Sequence, residues 1–152
     1  MLGAALTLPF AAPAAAADQR IQNAVLAEVN GFRASQGKPP LPLDARLSHA
    51  ATVHSQDMLA RNQMTHTGGD GSDAGQRITR AGYPWRAYRE NIVSHRVDAR
   101  QAVIAWVGSP GHAANMLADN VTQIGVGYAT GPGITAGSRP LHFWTLVLAA
   151  PR

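Results

Sequence analysis

The hydrophobic pattern of this chain changes period along its length, and that change limits what it can fold into. In the first half, apolar side chains recur every three or four residues, the spacing of a helix with one buried face. In the last thirty residues they alternate, the spacing of a strand. Ile21, Val25, Val29 and Phe32 form one helical stripe over Arg20–Gln36, with Glu28 and Arg33 off that face. Gly37 stops this helix, and Pro39-Pro40 prevent its continuation. Asp44 predicts the N-cap of a second helix, about Ala45–Asn62, lined by Leu47, Ala51, His54 and Met58.

Residues 65–73, THTGGDGSD, suit no regular element. Asp73 predicts a short capped helix holding Ile78 and ending at Gly82, with a Pro/aromatic loop over Tyr83–Tyr88. Asn91–Ser94 reads as a short strand, with Glu90 just before it. Asp98 predicts a cap for a helix over Ala99–Val107, with Ala102, Val103 and Trp106 inward, and Ser109-Pro110 open another helix through Leu117. Ile124, Val126 and Tyr128, then Trp144, Leu146 and Leu148, alternate along two strands, about Gln123–Thr130 and Leu141–Ala149. The Gly/Pro-rich stretch Gly131–Pro140 joins them. Helices first and strands last predict an α+β fold in which helices cover an antiparallel sheet.

The chain has 152 residues, which suits one domain. Residues 1–17 carry no charge, are rich in Ala, Leu and Pro, and end in Ala15-Ala16-Ala17 before Asp18. They are read as a secretory leader without its basic n-region, which leaves residues 18–152 as a single domain. The run is too short, and too broken by Pro9 and Pro13, for a transmembrane segment. The expected location is secreted or periplasmic. The chain contains no cysteine, so no disulfide framework supports export, and thiolate chemistry is excluded. Any metal must be held by His, carboxylate or water. The net charge is +4, but the arginines are scattered singly and Lys38 is the only lysine. A solvated surface accounts for this charge, and no nucleic-acid partner is expected. The chain is expected to be a monomer.

Six histidines are the place to look for chemistry. His49 reads as surface, His54 as a hydrogen-bonded core residue, and His95 and His142 have no evident partner in sequence. Ser109-Pro110-Gly111-His112 reads as N-cap to N3, with the Ser109 hydroxyl accepting from residue 111 or 112. The positive end of the helix keeps an imidazole at N3 neutral. His66 lies in a glycine-rich loop after a helix. Taken singly, each residue has an ordinary reading: His66 as a surface-loop histidine, His112 as an exposed cap residue, Glu90 as a solvated carboxylate. Asp70, Ser72 and Asp73 lack the full spacing of a calcium loop and suit turn and capping roles. Gly125-Val126-Gly127 lacks the third glycine and the following helix of a nucleotide loop.

Together the pieces form an ordered set: Gln56-Asp57-Met58, His66, Gly71-Ser72, Arg77, Ala81-Gly82-Tyr83, Glu90-Asn91-Ile92, Trp106, Ser109–His112, Asn115, Ile124–Tyr128 and Trp144. This set resembles the CAP superfamily (cysteine-rich secretory, antigen-5 and pathogenesis-related-1 proteins) in its bacterial SCP-domain form. The resemblance runs from about Val25 to Leu148. It implies a three-layer α-β-α sandwich with a central, mainly antiparallel sheet and a large cleft. It also implies that His66, Glu90 and His112 stand in that cleft, with Ser109 where many members carry a second glutamate, and Arg89 where glycine is usual. His66, His112 and Glu90, completed by water, would then form an open site for zinc or another divalent cation. Three functions follow as expectations. The first is non-enzymatic binding of an extracellular lipid, glycan, peptide or other small molecule. The second is metal-assisted hydrolysis of peptide or cell-wall material, and the third an interaction module with a vestigial site.

Overall fold

A computed structural model describes residues 13–152, with side chains from residue 18 onward. The expected leader, 1–17, lies outside the described residues as far as residue 12. The first helix, α1, is Pro13–Ser35, which begins earlier than the apolar stripe indicates. Proline is at home in a first turn and alanine is the best helix former, so the stretch before Arg20 can be helical without contributing to the stripe. Next come α2 (Ala45–Arg61), α3 (Ala74–Arg80), β1 (Trp85–Ser94), α4 (Ala99–Val107), α5 (Pro110–Met116), β2 (Gln123–Gly131) and β3 (Leu141–Pro151).

Helix starts are set by side-chain caps. Asp44 accepts from the N–H of Arg46 and Leu47, and Asp98 from that of Gln101. Asp73 and Gln76 form a reciprocal capping box on α3.

The three strands pair antiparallel in the order β1-β3-β2. A single parallel bridge, Leu43 to Ile124, extends the sheet beyond β2. Alternation divides β3 between two faces. Trp144, Leu146 and Leu148 join Val25, Val29, Val103 and Trp106 beneath α1 and α4. Val147 and Ala149 join Leu47, Ala51 and Ile78 beneath α2 and α3. A third, smaller cluster joins Met58, Ile92 and Phe143, and the fold is a three-layer α-β-α sandwich.

The glycines of β2 set the spacing on the α2 side. A Cβ on Gly125 would overlap the Leu47 carbonyl carbon and the Ser48 nitrogen, and one on Gly127 would overlap Ala51 and the Thr52 nitrogen. These glycines let the α2 backbone lie directly on the strand.

Three expectations change. The segment before Asn91 is not a loop beyond Pro84: β1 starts at Trp85, so Glu90 is mid-strand. Aromatic Trp85 and Tyr88 suit a strand, but Arg86, Arg89 and Glu90 disguise it in sequence. Arg33, expected off the apolar face, is buried. It reaches three carbonyls, Pro39 at 2.9 Å, Met116 at 2.8 Å and Ala118 at 3.3 Å, as a forked five-donor group can. His142 does have a partner, the Tyr128 hydroxyl at 2.8 Å.

β1 is an edge strand, and three of its outward carbonyls accept from side chains. Tyr88 O accepts from Arg89 Nη1 at 2.9 Å, Glu90 O from Asn115 Nδ2 at 3.5 Å, and Ile92 O from Trp106 Nε1 at 3.1 Å. Edge strands left open recruit other chains, and these contacts occupy part of the edge.

Candidate functional site

Four elements meet at Glu90. The loop after α2 supplies His66, α2 supplies His54, α3 supplies Arg77 and β1 supplies Glu90 itself. The loop is held firmly. α2 ends at Asn62 in the left-handed conformation, where its N–H caps Leu59 and Met58. The His54 ring, 0% exposed, donates from Nε2 to Thr65 O at 2.7 Å. Asp57 accepts from Gly69 N at 3.0 Å and from Arg61. Asp70 accepts from Ser72 N at 2.9 Å. Gly71 takes φ 83°, which any side chain would strain. The aspartates therefore tie turns and a helix cap rather than a calcium loop.

Glu90 has both carboxylate oxygens engaged. Oε1 accepts from His66 Nδ1 at 2.8 Å, and Oε2 accepts from Arg77 Nη2 at 2.8 Å. Arg77 also donates from Nη1 to Ser72 O at 2.8 Å. The Arg77 and Glu90 side chains are 6% and 4% exposed, so this is a buried ion pair, whereas the His66 side chain is 58% exposed. A carboxylate can only accept, so Nδ1 of His66 carries the proton. In the neutral ring, Nε2 then carries a free lone pair, on a side chain more than half exposed. Glu90 acts on His66 as a carboxylate acts on a metal-binding or catalytic histidine, fixing its tautomer and orientation.

His54 lies 4.0 Å from Glu90 Oε1. Burial pulls its basicity below the ordinary imidazole value, outweighing the pull of Glu90 in the other direction. The ring is thus neutral and the contact is not an ion pair. With Nε2 donating to Thr65, its Nδ1 is a buried acceptor without a partner among the described residues.

This makes folding stability sensitive to pH. Below the ordinary imidazole value of about 6.5 the unfolded chain takes up a proton that folded His54 resists, so stability falls as pH falls. His112 shifts in the same direction and adds to the effect. The paired aspartates, Asp44 and Asp57, are held below their ordinary values and lose stabilising charge only in more acidic solution. Thermal unfolding should therefore show a lower Tm near pH 5 than near pH 7, with a shallower slope in His54→Gln. An unchanged slope in that variant would remove His54 from the account.

His112 sits in the first turn of α5, half-buried. Asn91 Nδ2 donates to His112 O at 3.0 Å, and Asn115 Nδ2 donates to Asn91 Oδ1 at 2.9 Å, pinning α5 to β1. Its basicity is lowered first by burial and then by the nearby His66. Ser109 occupies the N-cap position, but its hydroxyl makes no capping bond. Its carbonyl closes the first turn by accepting from Ala113 N, and Pro110 at N1 sets the start, so the hydroxyl is not needed there.

The structure thus joins His66 to Glu90 and leaves His112 nearby. His66 and Glu90 line an open recess of about 330 Å³ with Asp73, Tyr88 and Arg89. His112 and Ser109 do not line it. Among the described residues, no three His or carboxylate side chains converge in a metal-binding set. Glu90 meanwhile accepts from Arg77 and His66, one through each oxygen. Sequence reasoning missed Arg77 as the counter-charge of Glu90, and gave His54 only a core role. The one available signal was a titratable ring on the buried stripe of α2.

An α-β-α sandwich with a carboxylate-held histidine beside a second imidazole defines a class, and comparison with known proteins names it. The family model for CAP, the cysteine-rich secretory protein family, matches residues 26–148. The chain belongs to this family. It is 35% identical over 99 residues to the protein YkwD of Bacillus subtilis, covering 65% of this chain but only 38% of that protein. It resembles in structure an extracellular SCP-domain protein of Bacillus anthracis, with TM-score 0.72 and 24% identity, over 93% of this chain and 45% of that one. An outer surface protein of Borrelia burgdorferi matches with TM-score 0.71 and 20% identity, over 90% and 94%. At these identities the structural likeness speaks for the fold. Among the described residues, no helix is long and apolar enough to cross a membrane.

Proposed function

We propose that this chain is an exported, non-enzymatic binding domain that presents His66 Nε2, with His112 beside it, to an extracellular ligand. The observation that carries this reading is the saturation of Glu90. A carboxylate engaged through both oxygens by Arg77 and His66 is built to orient an imidazole, which supports a presenting role for His66 over direct proton transfer by Glu90. Among the described residues His66 has no bonded hydroxyl that it could activate as a nucleophile. A divalent ion would meet two imidazoles and no free carboxylate. Export rests on the leader-like residues 1–17 and on relatives named as extracellular or outer-surface proteins. The domain acts as a monomer, and its scattered arginines favour no nucleic-acid partner.

Two assays on one preparation test this. Incubation with casein or with peptidoglycan should release no more product than the His66→Ala variant does. Calorimetric titration with zinc should give no saturable heat in the micromolar range. Hydrolysis by the wild type that disappears in His66→Ala would overturn the binding reading in favour of catalysis. Micromolar zinc uptake lost in both His66→Ala and His112→Ala would restore the metal centre.

A further inference from the structure

Beside the His66 recess lies a second one of about 360 Å³, and the two share Asp73 and Tyr88 as walls. Each has the size of a small-ligand cleft, which runs from roughly 300 to 1,000 Å³. The floor of the second recess is aromatic. Trp85 and Tyr88 pack edge to face, with centroids 4.8 Å apart and planes at 82°. Both rings lie over Gly75, where a Cβ would come within 2.8 Å of Tyr88 and 2.9 Å of Trp85. The indole is fixed in place, since Nε1 donates to Gly75 O and to Thr79 Oγ1, each at 3.0 Å. The two rings are half-buried, so each presents a surface to the groove.

The rim is polar. Asp73, Gln76, Thr79 and Arg80 are exposed around these rings. Asp73 uses Oδ1 to cap α3, whereas its Oδ2, Gln76 Nε2 and Tyr88 Oη have no partner among the described residues. Such a groove offers apolar ring surface below, with the two rings at right angles, and groups that donate and accept at the side. A pyranose ring has the matching form, a C–H face and a belt of hydroxyls that do both. An acyl chain would bury the rim groups without partners, which is costly. An extended peptide would seek a free strand edge. The outward carbonyls of β1 at Tyr88, Glu90 and Ile92 are already taken by Arg89, Asn115 and Trp106.

We infer that the joined groove binds an oligosaccharide, one ring against Trp85 and Tyr88 and the next donating a hydroxyl to His66 Nε2. This rests on the reading of His66 as the exposed contact of a binding cleft. Trp85 also serves as a reporter: Trp106 and Trp144 are each 1% exposed, so Trp85 is the one half-buried indole of three. Titration of the full chain with the tetraoses of N-acetylglucosamine and of glucose should give a saturable change in tryptophan emission for at least one of them. Amide chemical shifts in the same titration should move along Trp85–Glu90 and α3. Tyr88→Leu should weaken binding roughly tenfold or more, and His66→Ala, at an exposed position that leaves the core intact, should weaken it as well. No response to either sugar, or binding unchanged in Tyr88→Leu and Trp85→Leu, overturns the inference. Palmitate is titrated in parallel. Palmitate binding that depends on His66, without a sugar response, would overturn the oligosaccharide and leave the cleft standing. Sugar binding lost in Tyr88→Leu but unaffected in His66→Ala would uphold the aromatic groove and remove His66 from it.

Discussion

Replacing Arg77 with alanine should cost this domain about 3–5 kcal/mol of stability, the usual price of stranding a buried charge. Arg77 and Glu90 face each other at 2.8 Å with both side chains almost wholly enclosed. Their mutual attraction offsets the loss of hydration of two ions, and removing one partner leaves the other's penalty in place. His66 on the second oxygen is exposed and cannot supply a permanent counter-charge there. Arg77 also holds Ser72 O, so its loss loosens the turn that leads into α3. Urea unfolding near neutral pH measures the effect. The double variant Arg77→Met, Glu90→Leu should recover most of the loss, because it removes the stranded charge along with its partner. A loss below about 1 kcal/mol in Arg77→Ala, the range of exposed pairs, would show that the pair is not buried as described.

The second large effect belongs to Gly127. A valine there would push its side chain into the backbone of α2 at Ala51 and Thr52. The obstacle is main chain within a helix, with no flexible side chain to move aside, so α2 must lift off β2. The cost should reach or exceed the upper end of overpacking effects, about 3 kcal/mol, a large fraction of a typical domain's stability. Gly125→Val should behave in the same way against Leu47 and Ser48. Gly31→Ala is the internal contrast. It lies inside α1 with nothing within 4 Å of the added carbon, and should stabilise by roughly 0.5–1 kcal/mol. Thermal unfolding of the three variants distinguishes close approach from ordinary glycine entropy. A Gly127→Val protein as stable as the wild type would contradict the packing of α2 on β2.

Much of the architecture was legible in the sequence because it is written in local rules. Asp44, Asp73 and Asp98 mark helix starts through caps that need only two or three neighbouring residues. The alternation of Ile124, Val126 and Tyr128 places β2, and that of Trp144, Leu146 and Leu148 places β3. β1 was half hidden because its first part carries three charged side chains, and only pairing with β3 makes it a strand. The site was less legible. Nothing in the spacing of His54, His66, Arg77 and Glu90 shows that four elements bring them to one point; the resemblance supplied His66 and Glu90, and the structure supplied the other two. The Ser109 cap failed for a related reason. The residue is at the predicted position, but a position permits a hydrogen bond without requiring it.

Glu90 orients His66, so the tautomer of the His66 ring is the most direct test of the site. Nitrogen-15 chemical shifts of the imidazoles, recorded above their titration range, read which ring nitrogen carries the proton. The neutral His66 ring should hold its proton on Nδ1, with Nε2 bare, and should lose that preference in Glu90→Gln, whose side chain no longer offers only acceptors. A His66 ring protonated on Nε2 in the wild type would contradict the Glu90–His66 bond, and with it the presentation of His66 to a ligand.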